Sequence, residues 1–365
     1  MVMAETCHRL FTGDSSSLTQ IPSSSVAVVV TSPPYPMIEM WDSLFASRNM
    51  EIQRAFEIVD GQSAFELMHR DLGAVWQEVG RVLQPGGWAC INIGDATRKI
   101  GDQFKLYPNH ARVIEQFSQM GFDILPLILW RKQTNAPNKF MGSGMLPAGA
   151  YVTLEHEYIL IMRKGAKREF RTLEEKSIRQ ASAFFWEERN KWFSDIWDFK
   201  GARQVIDHPE MRERSAAFPF ELPYRLINMY SVRRDTILDP FVGTGTTVFA
   251  AMASERNSIG IDIDGALVTS ILEQAAPMKG SLNRYIVDRL AEHLDFVAKC
   301  REDEKDLKHT NGPHGFPVVT SQETNLELHC LEDVSQRRPG EIGVSYRDIM
   351  VSEYSRSGTQ FTLAI

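Results

Sequence analysis

Hydrophobic positions in this chain follow two rhythms that alternate along its length. Val26-Ala27-Val28-Val29-Val30 is an unbroken, largely β-branched run bounded by serines and prolines, which reads as a strand buried on both faces. Phe65, Met68, Leu72, Val75, Val79 and Val82 then recur at three- and four-residue steps. That spacing predicts an amphipathic helix, stopped by Gln84-Pro85-Gly86-Gly87. Trp88–Ile93 reads as the next strand and Tyr107–Met120 as a helix closed by Gly121. Phe122–Trp130 and His156–Met162 read as two more apolar strands. Further on, Pro219 and Pro223 flank or open a helix ending near Tyr230. A strand Thr236–Leu238, a helix Thr246–Ala253, a strand Ser258–Ile263 and a helix to about Ala275 complete the series. Strand and helix in turn predict an α/β fold with a doubly wound, mostly parallel sheet.

After that the pattern changes. Pro277 and Gly280 punctuate it, and Leu282, Ile286, Leu290, Leu294 and Val297 form a separate helical stripe. A charged linker, Arg301 to Gly315, leads to a few short strands between 316 and 365. The expected division is a main domain over residues 1–276, with an insert at 164–215, and an appendage over 277–365 without an assigned role.

Composition narrows the class. A chain of 365 residues with 43% hydrophobic content can build a sizeable core. No apolar run approaches the roughly 20 residues of a membrane helix. Met1 to Leu10 lacks a basic-then-apolar signal, so a cytoplasmic protein with no membrane partner is expected. Cys7, Cys90, Cys300 and Cys330 show no CxxC spacing and read as reduced thiols, neither disulfides nor a zinc site. The net charge of -7 weighs against a polyanionic partner unless positive charge is local. Arg163 to Lys191 is such a stretch, with nine Lys or Arg against five Asp or Glu, and Arg203, His208, Arg212 and Arg214 follow. Any one of these charges, taken singly, reads as a solvated face.

Candidate chemistry sits in two places. Gly243 and Gly245 lie between a short strand and a helix start, where glycine allows unusual dihedrals and close approach of the main chain to a ligand. A G-x-G alone is weak. No Lys follows for a phosphate loop, and the third glycine of a dinucleotide fingerprint is missing. Asp262, ending the next strand, is placed to bind ribose hydroxyls, while Asp264 suits the N-cap of the following helix. The other place is Thr31-Ser32-Pro33-Pro34-Tyr35, a rigid loop at a strand's carboxyl end, where open α/β sheets hold ligands. An aromatic amine is a poor nucleophile because its lone pair is delocalised into the ring. Two acceptors aimed at the amino group, the Ser32 hydroxyl oxygen and the Pro33 carbonyl, favour the geometry in which that lone pair faces an electrophile. Tyr35 offers a flat face for stacking.

These residues resemble the DNA amino-methyltransferases, in the permuted β-group where the catalytic motif precedes the cofactor motif. The resemblance covers about residues 8 to 275. It implies a Rossmann-like fold with an antiparallel hairpin, S-adenosyl-L-methionine as cofactor, no metal, and double-stranded DNA with a flipped base as substrate. By the same resemblance Ser32, Pro33, Pro34 and Tyr35 form the catalytic motif. Asp14 accepts from the cofactor adenine, and Phe218 lies near that ring with Pro219 and Glu221 in the same segment. Thr31, Asp239, Phe241, Gly243, Gly245, Thr246, Thr247 and Asp262 belong to the cofactor site. Ser at the first catalytic position implies N4 of cytosine; adenine-N6 members more often carry Asp or Asn there. The segment 164–200, the loops 36–62 and 132–150 and the tail 280–365 are the expected DNA readers. A site-specific enzyme of this kind would be a monomer or dimer and a candidate companion of a restriction endonuclease. An adenine-N6 enzyme, an RNA methyltransferase and a non-catalytic DNA-binding protein are the alternatives. Trp41 and Asp42 are expected near the base pocket, Asp95 at a turn, His156-Glu157 at a strand entry, and the aromatics of 184–199 mainly in the core.

Overall fold

A computed structural model describes residues 5–133, 141–142, 145–200 and 218–350, with residue 353. Residues 134–140 and 143–144 of the loop 132–150, the basic residues Arg203 to Arg214 and the end of the tail lie outside the described residues.

An 11-stranded sheet organises them. Its order is Ile196–Lys200, Ile128–Gln133, His156–Arg163, Leu83–Ile93, Val26–Thr31, Thr236–Asp239, Asn257–Asp262, Thr6–Thr12, Glu341–Asp348 and His329–Arg338, and the short Asp123–Ile124 pairs beside His156–Arg163. The five strands from Leu83–Ile93 to Thr6–Thr12 are parallel. His156–Arg163 runs antiparallel to both neighbours, and the last two strands form an antiparallel pair at the far edge. This is the expected Rossmann-like, mostly parallel sheet. Every residue of Val26–Thr31 is buried, because apolar layers cover both faces. One layer holds Val28, Val30, Phe249 and Ile286; the other holds Val29, Trp76, Phe65 and Phe117.

Local sequence accounts for the element ends. Asp60 caps the helix Gly61–Val82 by accepting from the Ser63 amide. Pro85-Gly86-Gly87 ends that helix, as expected, but also belongs to the strand Leu83–Ile93. The register there jumps from Val26/Leu83 to Val28/Trp88. Gly86 has φ +78°, and a Cβ on Gly87 would sit 2.9 Å from the Ala27 carbonyl, so the glycines make a bulge that only they can occupy.

Three expectations change. The break after residue 276 is absent: one helix, Gly265–Glu302, runs through Pro277 and Gly280. Proline removes one helical hydrogen bond, but buried Ile271 and Ala275 before it and Leu282 and Ile286 after it pack on the same core. The tail is likewise continuous with the main body, since Glu341–Asp348 pairs with Thr6–Thr12 and the Leu10 amide donates to the Gly340 carbonyl at 2.7 Å. Residues 36–62 are largely helical, with a turn Glu39–Trp41 and helices Asp42–Arg48 and Met50–Glu57.

The third change concerns the insert. Because His156–Arg163 is antiparallel, Arg163 pairs with Trp88, near the start of its neighbour. The chain therefore emerges at the amino ends of the parallel strands. Lys167, Arg168, Lys176, Arg179 and Arg189 line a cleft of about 880 Å³ there, beside Ala27, Trp88 and Asp235. Phe185, Trp192 and Trp197 are core residues, as expected, and the buried Glu188 carboxylate takes two hydrogen bonds from Arg289 of the long helix.

Among the described residues no helix is long and apolar enough to cross a membrane.

Candidate active site

At the opposite, carboxyl ends of the parallel strands lies a cleft of about 380 Å³, within the roughly 300–1,000 Å³ usual for small-molecule sites. Four adjacent strand ends supply it: Asp14 follows Thr6–Thr12, Ser32 and Pro34 follow Val26–Thr31, and Asp239 and Asp262 close their own strands. Phe218, Phe241, Gly243 and Thr246 also line it.

The glycine turn is fixed by its neighbours. Gly243 and Gly245 have φ of +52° and +85°, and a Cβ on Gly245 would meet Ile271 at 2.8 Å. One oxygen of Asp262 accepts from the Gly243 amide at 3.0 Å, the other from the Asp264 amide at 2.9 Å. Burial raises the Asp262 carboxyl above its ordinary value, against the opposing effect of those amides. Asp264 caps the next helix through the Ala266 amide, as expected.

Asp239 ties the two motifs together. It is buried and accepts from Thr31 Oγ1 at 2.6 Å and from Thr247 Oγ1 at 2.6 Å, and its own motif adds the Phe241 amide. Burial outweighs these bonds and pushes its pKa up to about 6. Asp14 forms an ion pair with Arg48 at 2.8 Å and accepts from the Ser16 amide. Partial burial works to raise its carboxyl, but the Ser16 amide and Arg48 prevail and hold it below the ordinary range.

Not every expected residue faces the cleft. Thr31 and Thr247 act behind it as donors to Asp239, and Gly245 lies against Ile271. Pro33 is buried and lies outside the lining. The Pro219 carbonyl takes the Leu222 amide at the start of the helix Glu221–Tyr230. Glu221 turns to Arg225, at 2.5 Å, and to Tyr285 Oη. Tyr35, expected to stack on the base, is 7% exposed and absent from the cleft lining. Its hydroxyl instead meets Ser32 Oγ at 2.9 Å, Asn92 Nδ2 at 2.8 Å and Glu157 Oε2 at 2.9 Å. Burial and the nearby Glu157 charge raise the phenol well above its ordinary value, so it stays protonated.

Several lining residues escaped the reading of the sequence. Phe45 and Arg48 come from the helix Asp42–Arg48, and Asp71, Leu72 and Val75 from Gly61–Val82. Asp71 Oδ2 is buried with no partner among the described residues. Leu72 and Val75 were visible only as part of a core stripe. Glu157 had a signal, a carboxylate inside an apolar strand. Trp41 lines the cleft as expected, while Asp42 pairs with Arg98. Asp95 holds the His110 amide and ring at the start of the helix Asn109–Gln119.

A parallel sheet with a glycine turn and a Ser-Pro-Pro-Tyr loop in one cleft defines an amino-methyltransferase. The N6/N4 DNA methylase family matches residues 26–273, more than half of the chain, and the chain belongs to that family. Among its relatives, the Type II methyltransferase M.MthZI of Methanothermobacter thermautotrophicus is 46% identical over 94% of this chain and 96% of its own length. M.MjaI of Methanocaldococcus jannaschii, also a Type II methyltransferase, is 51% identical over 74% of this chain and 91% of its own. A DNA modification methylase of Thermus thermophilus, TTHA0409, described as putative and solved in complex with S-adenosyl-L-methionine, superposes with a TM-score of 0.55 at 32% identity, covering 73% of this chain and 94% of that one. The fold is also that of PvuII DNA methyltransferase (TM-score 0.51, 17% identity, 72% of this chain and 84% of that one).

Proposed function

We propose that this chain is a site-specific DNA methyltransferase that acts in the cytoplasm and transfers a methyl group from S-adenosyl-L-methionine to N4 of a flipped cytosine. The observation that carries the reading is Ser32 opening into the same cleft as the glycine turn and Asp262. The cleft suits the cofactor chemically. Phe218 and Phe241 give it apolar walls, and the second lone pairs of the Asp262 carboxylate remain for ribose hydroxyls. Asp71 brings a buried acceptor oxygen in want of a donor, and Asp14 can serve the adenine amino group where it yields Arg48. The cofactor supplies an electrophilic methyl group on a sulfonium sulfur. Ser32 Oγ accepts from the cytosine amine, joined by the Pro33 carbonyl where the loop turns that oxygen into the cleft, and the amine's lone pair is turned toward that methyl. The target base has to leave the duplex to reach this depth. Pro34 and Trp41, which line the cleft and are partly exposed, take the base contacts first assigned to Tyr35. The serine favours cytosine over adenine. Relatives that are Type II methyltransferases favour pairing with a restriction endonuclease.

Incubation with methyl-labelled cofactor and duplex DNA tests the substrate class. Label that DNase releases and RNase leaves in place is expected. Label confined to RNA, or cofactor binding without transfer to any nucleic acid, would overturn the reading.

A further inference from the structure

We propose that Glu157 is a positioning residue that sets the direction of the Ser32 hydroxyl through Tyr35. The proposal rests on the methyltransferase reading and assigns a proton arrangement that reading leaves open.

A phenol oxygen has one hydrogen and two lone pairs. Three side chains hydrogen-bond Tyr35 Oη, with the Gly94 amide nearby as a weaker backbone donor: Ser32 Oγ at 2.9 Å, Asn92 Nδ2 at 2.8 Å and Glu157 Oε2 at 2.9 Å. An ionised carboxylate only accepts, so Tyr35 gives its single hydrogen to Glu157. The Asn92 amide nitrogen only donates, so it fills one lone pair of Oη. The remaining lone pair faces Ser32, which must therefore donate its own hydrogen to Tyr35. Both lone pairs of Ser32 Oγ are left as acceptors on a side chain that lines the cleft. A free serine hydroxyl rotates and offers its hydrogen as readily as its lone pairs. Here the hydroxyl is held in the form an amino group needs.

The surroundings fix Glu157 in turn. Asn92 Nδ2 also donates to Glu157 Oε2 at 2.7 Å, and Lys132 Nζ pairs with Glu157 Oε1. Two donors thus hold both carboxylate oxygens and pin the rotamer. The fold explains the meeting. Asn92 ends the parallel strand next to the catalytic one, and Glu157 opens the antiparallel strand beyond it, so both reach the carboxyl end behind Ser32. Glu157 is absent from the cleft lining, and its effect on the substrate passes through Tyr35.

Glu157→Gln changes the hydrogen inventory at nearly constant shape. With the amide oxygen kept on Lys132 at the Oε1 place, the amide nitrogen takes the Oε2 place beside Tyr35 and Asn92. Tyr35 would then accept there and donate to Ser32, and the serine hydrogen would be released toward the cleft. The expected result is a fall in kcat of about 10- to 100-fold, with cofactor Kd and melting temperature close to wild type. Tyr35→Phe, which keeps the ring, should fall in the same range, and the double variant should be no worse than the poorer single one. The decisive comparison is made in a Ser32→Ala background. There Glu157→Gln should change the residual rate by less than about twofold, because the hydroxyl it orients is gone. An equal loss in both backgrounds would mean a merely structural role and overturn the proposal, as would full activity of Glu157→Gln beside an active wild type. Wild type that transfers no methyl group to DNA would instead overturn the function reading, and this proposal with it.

Discussion

The two ends of the sheet carry different kinds of side chain, and the contrast separates charge from chemistry. At the amino ends the cleft is the larger, about 880 Å³, and six of its side chains are Lys or Arg. Much of that charge is already engaged: Arg168 takes both oxygens of Asp235, Arg163 pairs with Asp123, and Arg168 and Arg179 lie over Phe170 at 4.7 and 5.0 Å. At the carboxyl ends the cleft is smaller, about 380 Å³, and carries acids, hydroxyls and aromatic walls, with Arg48 already committed to Asp14. A count of charge along the chain points to the first end, whereas hydrogen-bond geometry points to the second. One antiparallel strand, His156–Arg163, accounts for the discrepancy. It carries the chain from the reactive end to the other, a span of roughly 20 Å at about 3.3 Å per residue, just before the basic stretch begins.

The contrast can be broken by substitutions at either end. The largest effect belongs to Ser32→Ala, which removes one of two acceptors for the amino group. By analogy with deleting a single oriented group from a transition-state site, kcat should fall about 10²-fold or more, with cofactor Kd unchanged. Rapid-quench transfer and equilibrium binding measure the two quantities, and equal loss of both would deny Ser32 its place in the chemistry. Asp262→Ala comes next and should divide the other way. Loss of hydrogen bonds to a charged acceptor costs about 1.5–3 kcal/mol, so calorimetry should find cofactor binding weakened about 10- to 100-fold.

Gly245→Ala should lower stability by about 1–3 kcal/mol, because its φ of +85° and the 2.8 Å approach to Ile271 both resist a Cβ. Denaturant titration reads that loss. Asp239 contributes a pH dependence of known sign. Its folded pKa, about 6, lies above the ordinary carboxylate value. Its contribution to stability is therefore fully present below about pH 4 and lost as pH rises through about 6. Subtracting the melting profile of Asp239→Asn from that of wild type should reveal this slope between those limits. The smallest effect is expected at the amino ends. Lys176→Glu with Arg179→Glu should alter turnover by less than about threefold at 0.15 M salt, where the Debye length is about 8 Å and the cleft lies more than two such lengths from Ser32. A loss as large as that of Ser32→Ala would show that the basic end takes part in the reaction.

The sequence carried this fold unevenly. Val26–Thr31 and the helix Thr246–Ala253 were legible because burial on both faces leaves an unbroken apolar run. The glycine turn and Asp262 were legible because their chemistry restricts residue type. Pro277 misled, because a proline predicts a helix end locally, while packing on either side of it decides that the helix continues. The tail misled likewise, since its pairing with Thr6–Thr12 joins residues more than 300 positions apart. At the site, Asp71 stayed hidden beside a core stripe, and reading Tyr35 as a ring left out the hydrogen bonds that its hydroxyl makes to Ser32, Asn92 and Glu157. Which way a hydroxyl points depends on partners from three strands, and no local pattern records that.

The central claim is that Ser32 presents an amino-group acceptor to cytosine. Mass spectrometry of nucleosides from duplex DNA incubated with the protein and S-adenosyl-L-methionine tests it most directly. N4-methylcytosine, made by wild type and nearly abolished in Ser32→Ala, is the predicted result. N6-methyladenine in its place would contradict the base assignment while leaving the fold and the cofactor cleft intact.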